Sequence, residues 1–146
     1  MRQADQDEIY NVLGHNNPFL LARQVLEALS FGSAVVAFHR GQPAGLMGFA
    51  PIRLNVATAI AFGTDQFKLV AHALTRHALR VMKPALLAAG FHRLECESRH
   101  DHVEAHRWLE FLGFKREGLL RKHGCDGSDY IKYAATNEKE RLSCVS

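Results

Sequence analysis

Cysteine is scarce in this sequence, and a long apolar run is missing. The three cysteines, Cys96, Cys125 and Cys144, are odd in number and widely spaced. A disulfide framework requires even and denser cysteine, so we predict a reducing compartment, the cytoplasm. No stretch approaches the roughly 18 apolar residues of a membrane-spanning helix. The charged segment at residues 1–5 also lacks the apolar stretch of a secretory signal.

An excess of charge of one sign is missing as well. The 18 Lys and Arg residues exceed the 15 Asp and Glu residues by three, and they are spread along the chain. We therefore predict neither nucleic-acid nor membrane partners. Histidine, in contrast, is abundant: the nine residues raise the question of metal or acid–base chemistry.

The length and composition are typical of one folded domain. The chain has 146 residues, of which 47% are hydrophobic and 23% are charged, so it can bury a core. We predict a single domain over residues 1–135 and a polar C-terminal tail over residues 136–146. No internal repeat or linker interrupts the domain.

Apolar periodicity predicts an α/β (α+β) protein in which a helix joins two strands in the middle of the chain. That strand–helix–strand unit implies a parallel pair inside an otherwise antiparallel sheet, beside which a ligand can enter. Pro51 is expected to end the second strand, and Pro84 to kink or restart the long helix. The predicted helices are 4–13, 18–29, 66–89 and 101–112, and the predicted strands are 33–38, 44–49, 55–62, 91–98, 119–123 and 130–134.

Residues 105–118, AHRWLEFLGFKREG, carry a resemblance to a known family. They are similar to the last motif of the GNAT superfamily of N-acetyltransferases, Asn-x-x-Ala-x-x-Leu-Tyr-x-x-x-Gly-Phe, which a Glu-Gly pair commonly follows. Residues 120–130 resemble the closing hairpin of ribosomal-protein-type members. The resemblance covers about residues 33–135. It implies a mixed, mostly antiparallel sheet with a central splayed parallel pair and about four flanking helices.

This resemblance also implies an activity, the transfer of an acyl group from acetyl-CoA to an amine that attacks the thioester directly. The pantetheine would lie between the splayed strands against the main chain of Ile60, Ala61 and Phe62. The pyrophosphate would bind amides at the start of the next helix, where the helix dipole favours an anion. The candidate residues of that loop are Gly63, Thr64, Asp65, Gln66 and Lys68.

The sequence departs from the family pattern at two places. The loop usually reads Gln/Arg-x-x-Gly-x-Gly/Ala, whereas this chain retains only Gly63. Thr64 or Asp65 as an N-cap would occupy amides that a phosphate needs. The carboxylate of Asp65 would also repel the phosphate, and the positive charge of Lys68 could offset part of that repulsion. The tyrosine that protonates the leaving thiolate in the family falls at Leu109, which cannot donate a proton.

Two polar residues are candidates for proton transfer at this cleft. His102 falls where the family pattern has asparagine and could act as a general base; alternatively, it is a solvated first-turn histidine beside an Asp101 cap. Ser98 could hydrogen-bond the acetyl oxygen or the thiolate from a strand end; alternatively, it satisfies local backbone. Cys96 is interpreted as a small core residue, and Trp108 as an anchor between helix and sheet.

Further histidines and basic residues suggest other chemistry. His100, His102 and His106 invite a metal hypothesis. Only His102 and His106 share a helical face, however, and no third ligand completes a recognised metal-site spacing with them, so we predict no metal site. Basic residues recur every four positions along the long helix. They could meet cofactor phosphates, an acidic partner or nucleic acid, or they form the solvated back of an amphipathic helix. They are Lys68, His72, Arg76 and Arg80.

A narrower resemblance suggests a function of a different class. Residues 62–65, FGTD, and 73–77, ALTRH, are similar to a phage- and prophage-encoded GNAT-like subgroup that includes internal virion proteins. The alternative function is therefore a catalytically inactive virion or assembly protein that acts through protein contacts or self-assembly. Such a protein would be found in the virion or in the host cytoplasm.

Overall fold

Helices and strands follow one another in the order that the sequence predicts. The structure, a computed structural model, describes residues 1–137. A π-helical turn at Ala78–Met82 joins the third helix to the fourth. The helices are α1 (Gln3–Leu13), α2 (Pro18–Leu29), α3 (Phe67–His77), α4 (Lys83–Ala88) and α5 (Val103–Phe111), and the strands are β1 (Ser33–His39), β2 (Gln42–Arg53), β3 (Val56–Gly63), β4 (Arg93–Arg99), β5 (Lys115–Leu120) and β6 (Tyr130–Thr136).

The six strands form one sheet in the order β1-β2-β3-β4-β6-β5. Strands β3 and β4 are parallel, and the other neighbouring pairs are antiparallel. The parallel pairing runs only from Val56 opposite Arg93 to Thr58 opposite Glu95, although β3 continues to Gly63. Beyond Thr58 the two strands separate. The predicted mixed sheet with a splayed parallel pair is therefore confirmed.

Strand β2 runs past Pro51 to Arg53, so the prediction that Pro51 ends this strand is wrong. Pro51 lies opposite Ala57, and the register shifts between Pro51 and Arg53. Proline has no N–H to donate to the ladder, and such irregular positions in a strand tolerate it. The extra length carries β2 along the whole of β3.

The long helix continues without a break from α3 through the π-helical turn into α4. The amide of Lys83 bonds to the carbonyl of Ala78, five residues earlier, so the turn holds one residue more than an α-helical turn. Consequently the apolar face rotates. The α-helical spacing from Phe67, Val70 and Leu74 predicts that Val81 lies on the same apolar face, but Val81 is exposed and Met82 is buried instead. Pro84 is accommodated near the start of α4, directly after the wider turn.

Two separate core clusters hold α3 and α5 to the sheet. One packs α3 and the π-helical turn against β2 through Met47, Phe67 and Leu74, among others. The other packs α5 and its following turn against β4 and β6 through Cys96 and Tyr133. Each fully buried large side chain stabilises the fold by about 1.5–3 kcal/mol. Trp108 of α5 also packs against the first cluster.

The last strand is longer than predicted. Strand β6 continues to Thr136, and the Asn137 amide donates to the His92 carbonyl at 2.9 Å. The rest of the predicted tail, residues 138–146, lies outside the described residues. Among the helices of residues 1–137, none has the length and apolar character to cross a membrane.

Candidate functional site

The separation of β3 and β4 opens a cleft into the sheet, with α3 and α5 on either side. Its volume is about 1160 Å³, above the roughly 300–1,000 Å³ of common small-molecule pockets. Ile60, Ala61 and Phe62 line the cleft and pair with β2 along one edge. No strand of the described chain pairs with their other edge. Main-chain groups of β3 are therefore accessible to an extended ligand.

Gly63, at the start of the predicted phosphate loop, is bound by the N-terminal segment. Its amide donates to Asp5 Oδ2 at 2.7 Å, and its carbonyl accepts from the Arg2 amide at 2.7 Å. The Arg2 guanidinium binds both carboxylate oxygens of the buried Asp5, at 2.7 and 2.9 Å, and lies over the Phe67 ring. A carboxylate of the protein thus occupies one of the amides predicted to bind phosphate. Sequence reasoning missed both Arg2 and Asp5.

The rest of this loop is partly bonded to itself. The Thr64 amide donates to the Ala44 carbonyl at 3.0 Å, and Thr64 Oγ1 accepts from the Gln66 amide at 3.3 Å. Gln66 precedes α3 and makes no side-chain cap, so the predicted N-cap by Thr64 or Asp65 is wrong. The reason is that Thr64 Oγ1 accepts its hydrogen bond from the amide of Gln66, which lies ahead of α3, and not from an amide of the helix. Within residues 1–137 the amides of Asp65 and Lys68 donate no described hydrogen bond, so these two remain for an anion.

Glu104 and Trp108 of α5 contact side chains of α3 across the cleft. Lys68 Nζ binds Glu104 Oε1 at 3.1 Å, between two exposed side chains, and this hydrogen bond lowers the pKa of Glu104. Trp108 Nε1 donates to Thr75 Oγ1 at 2.7 Å, and its ring meets Phe67 edge-on. Trp108 therefore anchors α5 to α3, and it also packs against the core cluster that α3 shares with strand β2, in keeping with the predicted anchor between helix and sheet. The other basic side chains of the stripe are exposed, namely His72, Arg76 and Arg80.

His102 lies directly before α5 and lines the cleft. Its Nδ1 is 2.5 Å from Glu8 Oε2, and the two side chains are only 13% and 16% exposed. The hydrogen bond with Glu8 raises the pKa of His102, and desolvation opposes the change. The alternative interpretation, a solvated histidine beside an Asp101 cap, is wrong. The Asp101 carboxylate pairs with Arg99 at 3.0 Å instead, and no side chain caps α5.

Glu8 is a residue of this site that sequence reasoning missed. Its Oε1 accepts from the Arg99 amide at 3.1 Å, and its carbonyl accepts from the Tyr130 hydroxyl at 2.7 Å. Arg99 and Tyr130 are partners in adjacent strands, so α1 is attached to both β4 and β6 beside His102. Glu8 is one helical turn from Asp5 in the sequence. The i, i+3 spacing of these two carboxylates was the one feature of the sequence that could have indicated a role for Glu8.

Ser98 lies deep in the lining of the cleft. It is 2% exposed, and its Oγ has no hydrogen-bond partner among the described residues, so it does not satisfy local backbone as the alternative proposed. Cys96 is buried, and burial raises the pKa of its thiol to about 12, which suits the core role that the sequence predicts. Leu109 packs against the Cys96 cluster and also lines the cleft.

The histidines do not converge. Within residues 1–137, no group of three or more His, Cys, Asp or Glu side chains is placed to hold a metal ion. His106 is buried, with its Nε2 2.9 Å from the Arg99 carbonyl, and burial lowers its pKa. Two histidines, His92 and His102, line the cleft, and among the described contacts His102 is the one that pairs with a carboxylate there.

Comparison with solved structures identifies the fold. A phosphinothricin acetyltransferase of the GNAT superfamily from Sinorhizobium meliloti, in complex with acetyl-CoA, superposes with a TM-score of 0.70 at 16% identity, over 94% of this chain and 84% of that one. A ribosomal-protein-alanine N-acetyltransferase from Brucella melitensis gives 0.63 at 15% identity, over 88% and 90%. An IAA acetyltransferase from Bacillus cereus gives 0.62 at 18% identity, over 79% and 84%. This chain has the GNAT fold.

No protein-family model matches the sequence, and a search of curated proteins also found no match. At the low identities of the similar structures, the likeness establishes the fold and leaves the activity to be argued from the site.

Proposed function

We propose that this chain is an acyl-CoA-dependent N-acyltransferase with acetyl-CoA as the acyl donor. The observation that carries the proposal is the cleft between β3 and β4, where the main chain of Ile60–Phe62 has one edge without a partner strand in the described chain. The GNAT fold and the acetyl-CoA bound to the Sinorhizobium meliloti enzyme support it. The cleft volume suits a donor of this size.

Each candidate binding residue has a distinct part in this proposal. The pantetheine extends along the open edge of Ile60, Ala61 and Phe62, and the pyrophosphate approaches the start of α3. There the amides of Asp65 and Lys68 are available, whereas those of Gly63, Thr64 and Gln66 are already bonded. These three residues shape the loop and do not donate to the phosphate. Lys68 exchanges Glu104 for a phosphate oxygen.

The reaction is a direct attack of an amine on the thioester. A C–N bond forms at the thioester carbonyl, the C–S bond breaks, and the thiolate leaves with the bonding electron pair. Neutral His102 accepts the proton that the amine loses, and this proton then passes to the thiolate or to solvent. Ser98 Oγ–H donates to the carbonyl oxygen. Since Leu109 donates no proton, positioning of the amine contributes the rest of the acceleration.

The acceptor is an amine, and the similar enzymes are described as acting on phosphinothricin and on the alanine of ribosomal proteins. The cytoplasm remains the predicted compartment. The alternative function, an inactive phage virion or assembly protein, has no support from the named structures, which are all described as acetyltransferases.

A titration with acetyl-CoA tests the proposal. Isothermal calorimetry is expected to give one-to-one binding, and Ala61→Phe, which fills the cleft, is expected to abolish it. Ala34→Phe is the matched control, because Ala34 is an exposed strand alanine outside the cleft lining. Absence of heat and of thermal stabilisation at millimolar acetyl-CoA would contradict the proposal and favour the non-catalytic alternative.

A further inference from the structure

Helix α1 supplies a carboxylate, that of Glu8, to the cleft. The sequence motifs that predict this cleft lie on β3, α3 and α5 and do not include α1. Glu8 and His102 are 94 residues apart in sequence, and their side chains meet with Nδ1 2.5 Å from Oε2. We infer that Glu8 is a positioning residue, which holds His102 as the Nδ1–H tautomer so that Nε2 is the nitrogen that exchanges protons in the cleft. This inference rests on the proposed acyltransfer.

The hydrogen-bond pattern determines the tautomer. An ionised carboxylate accepts hydrogen bonds only, so Glu8 Oε2 requires a proton on His102 Nδ1. The second oxygen, Oε1, accepts from the Arg99 amide at 3.1 Å, which fixes the carboxylate plane. In the neutral ring Nε2 then carries the lone pair, and it makes no hydrogen bond with residues 1–137. That nitrogen is available to accept the proton of the attacking amine.

Glu8 itself is rigidly held. Its carbonyl accepts from the Tyr130 hydroxyl at 2.7 Å, and its side chain is 16% exposed. The position of the carboxylate is therefore set by β4 and β6 through Arg99 and Tyr130. A held carboxylate can orient an imidazole and stabilise the imidazolium that forms when a proton is taken up.

Glu8→Gln is expected to reverse the tautomer. The Arg99 amide requires an acceptor, so the oxygen of the new side-chain amide faces Arg99 and its NH2 group faces His102 Nδ1. Nδ1 must then accept, which places the proton on Nε2 and removes the base from the cleft. Asp7→Asn is the matched control, because Asp7 is the neighbouring exposed carboxylate of α1 and its described hydrogen-bond partner is Gln3.

Other charges around His102 set the direction of the pH effect. Glu8 and Asp5 raise the pKa of His102, Arg2 at the start of α1 opposes them, and Glu104 and His106 of α5 interact electrostatically with His102. In Glu8→Gln the main cause of the rise is lost. The pH limb on which His102 becomes neutral therefore moves to lower pH, while the plateau rate falls because the tautomer is wrong.

Nitrogen-15 NMR of the imidazole tests the inference without reference to activity. The expected result is the Nδ1–H tautomer with a raised pKa in the wild type and in Asp7→Asn, and the Nε2–H tautomer with a lower pKa in Glu8→Gln. A wild-type ring in the Nε2–H form would overturn the inference. That measurement needs no variant, so it holds even if Glu8→Gln fails to fold.

Kinetics then connect the tautomer to the reaction. With acetyl-CoA and an alanyl peptide, a lysyl peptide and spermidine as acceptors, kcat of Glu8→Gln is expected to fall by about 100-fold or more, with KM for acetyl-CoA unchanged. An active wild type whose rate and pH profile are the same in Glu8→Gln would overturn the positioning role. If the wild type does not bind acetyl-CoA, the proposed function fails, and the catalytic part of the inference fails with it.

Discussion

The starts of α3 and α5, which flank the same cleft, are both held by carboxylates of α1 but in chemically different ways. At α3, Asp5 binds the Gly63 amide and the Arg2 guanidinium, two donors that do not lose their protons near neutral pH. At α5, Glu8 binds His102, an imidazole that can gain and lose a proton, and this hydrogen bond raises the pKa of His102. One end of the cleft is therefore fixed in charge, and the other responds to protons.

This difference assigns separate roles to the two ends. The α3 end has a buried carboxylate and only two amides without described partners, so it suits structural attachment and modest phosphate binding. The α5 end combines the His102–Glu8 pair with Ser98, whose hydroxyl has no described partner. The proton chemistry of the proposed reaction therefore belongs at α5. Variants at each end should separate stability from catalysis.

The largest effect is expected for His102→Gln. Loss of a general base costs about 10²–10⁴-fold in rate, so kcat should fall in that range while the Kd for acetyl-CoA changes little. His72→Gln, at an exposed position of α3, is the control and should behave as the wild type. Steady-state kinetics and calorimetry give the two quantities. A rate within threefold of the control (about 0.7 kcal/mol) would remove the catalytic role from the α5 end.

The α3 end is expected to respond in stability to Gly63→Ala. A Cβ at this position would clash with the Phe67 ring and would lie 2.6 Å from the Ala44 carbonyl oxygen, so backbone must move. We expect a loss of about 3 kcal/mol, the upper end of the usual cost of overpacking. Gly118→Ala is the matched control, since its Cβ would meet nothing within 4 Å. Urea unfolding measures both, and equal stability of the two variants would contradict the tight attachment.

Asp5→Asn tests the carboxylate at the α3 end. The variant removes the charge that faces Arg2 but retains an oxygen for one hydrogen bond, so we expect a loss of about 1.5 kcal/mol, the low end for charged hydrogen bonds. Arg2 is 19% exposed, which lets water replace part of the interaction. Asp7→Asn, on the exposed side of α1, should change the free energy of unfolding by less than about 0.5 kcal/mol. Identical urea midpoints for the two variants would show that Asp5 does not hold this end.

Much of the fold could be predicted from the sequence because local patterns determine it. The α2 bounds, Pro18–Leu29, agree with the prediction, since Pro18 suits the first helical turn and the apolar periodicity continues to Leu29. The π-helical turn at Ala78–Met82 was not predictable, because a five-residue hydrogen bond has no distinct sequence pattern. It moved Val81 out of the core.

The candidate site was predicted in part for the same reason. His102 and Ser98 lie near the motif that carries the family resemblance, and both line the cleft. Asp5 and Glu8 act over 58 and 94 residues of sequence, so their partners depend on how α1 packs on the folded sheet. In the sequence, the i, i+3 spacing of the two carboxylates is visible, but nothing there indicates which residues they contact. The two carboxylates that distinguish the ends of the cleft were therefore found from the structure alone.

The smallest effect on stability is expected for Lys68→Met, which breaks the contact between the two helix starts. Lys68 and Glu104 are 73% and 65% exposed, so their ion pair should contribute less than about 0.5 kcal/mol to stability. Acetyl-CoA binding should weaken about two- to fivefold, or about 0.5–1 kcal/mol, and more at low salt, because Lys68 would lose its phosphate contact. Arg80→Met is the control, an exposed cation further along the same helical run. Calorimetry at two salt concentrations measures the change in acetyl-CoA binding, and urea unfolding measures the change in stability. A stability loss above about 1 kcal/mol with unchanged binding would make Lys68 a structural link between α3 and α5. The α3 and α5 ends of the cleft would then depend on each other, although separate carboxylates of α1 hold them.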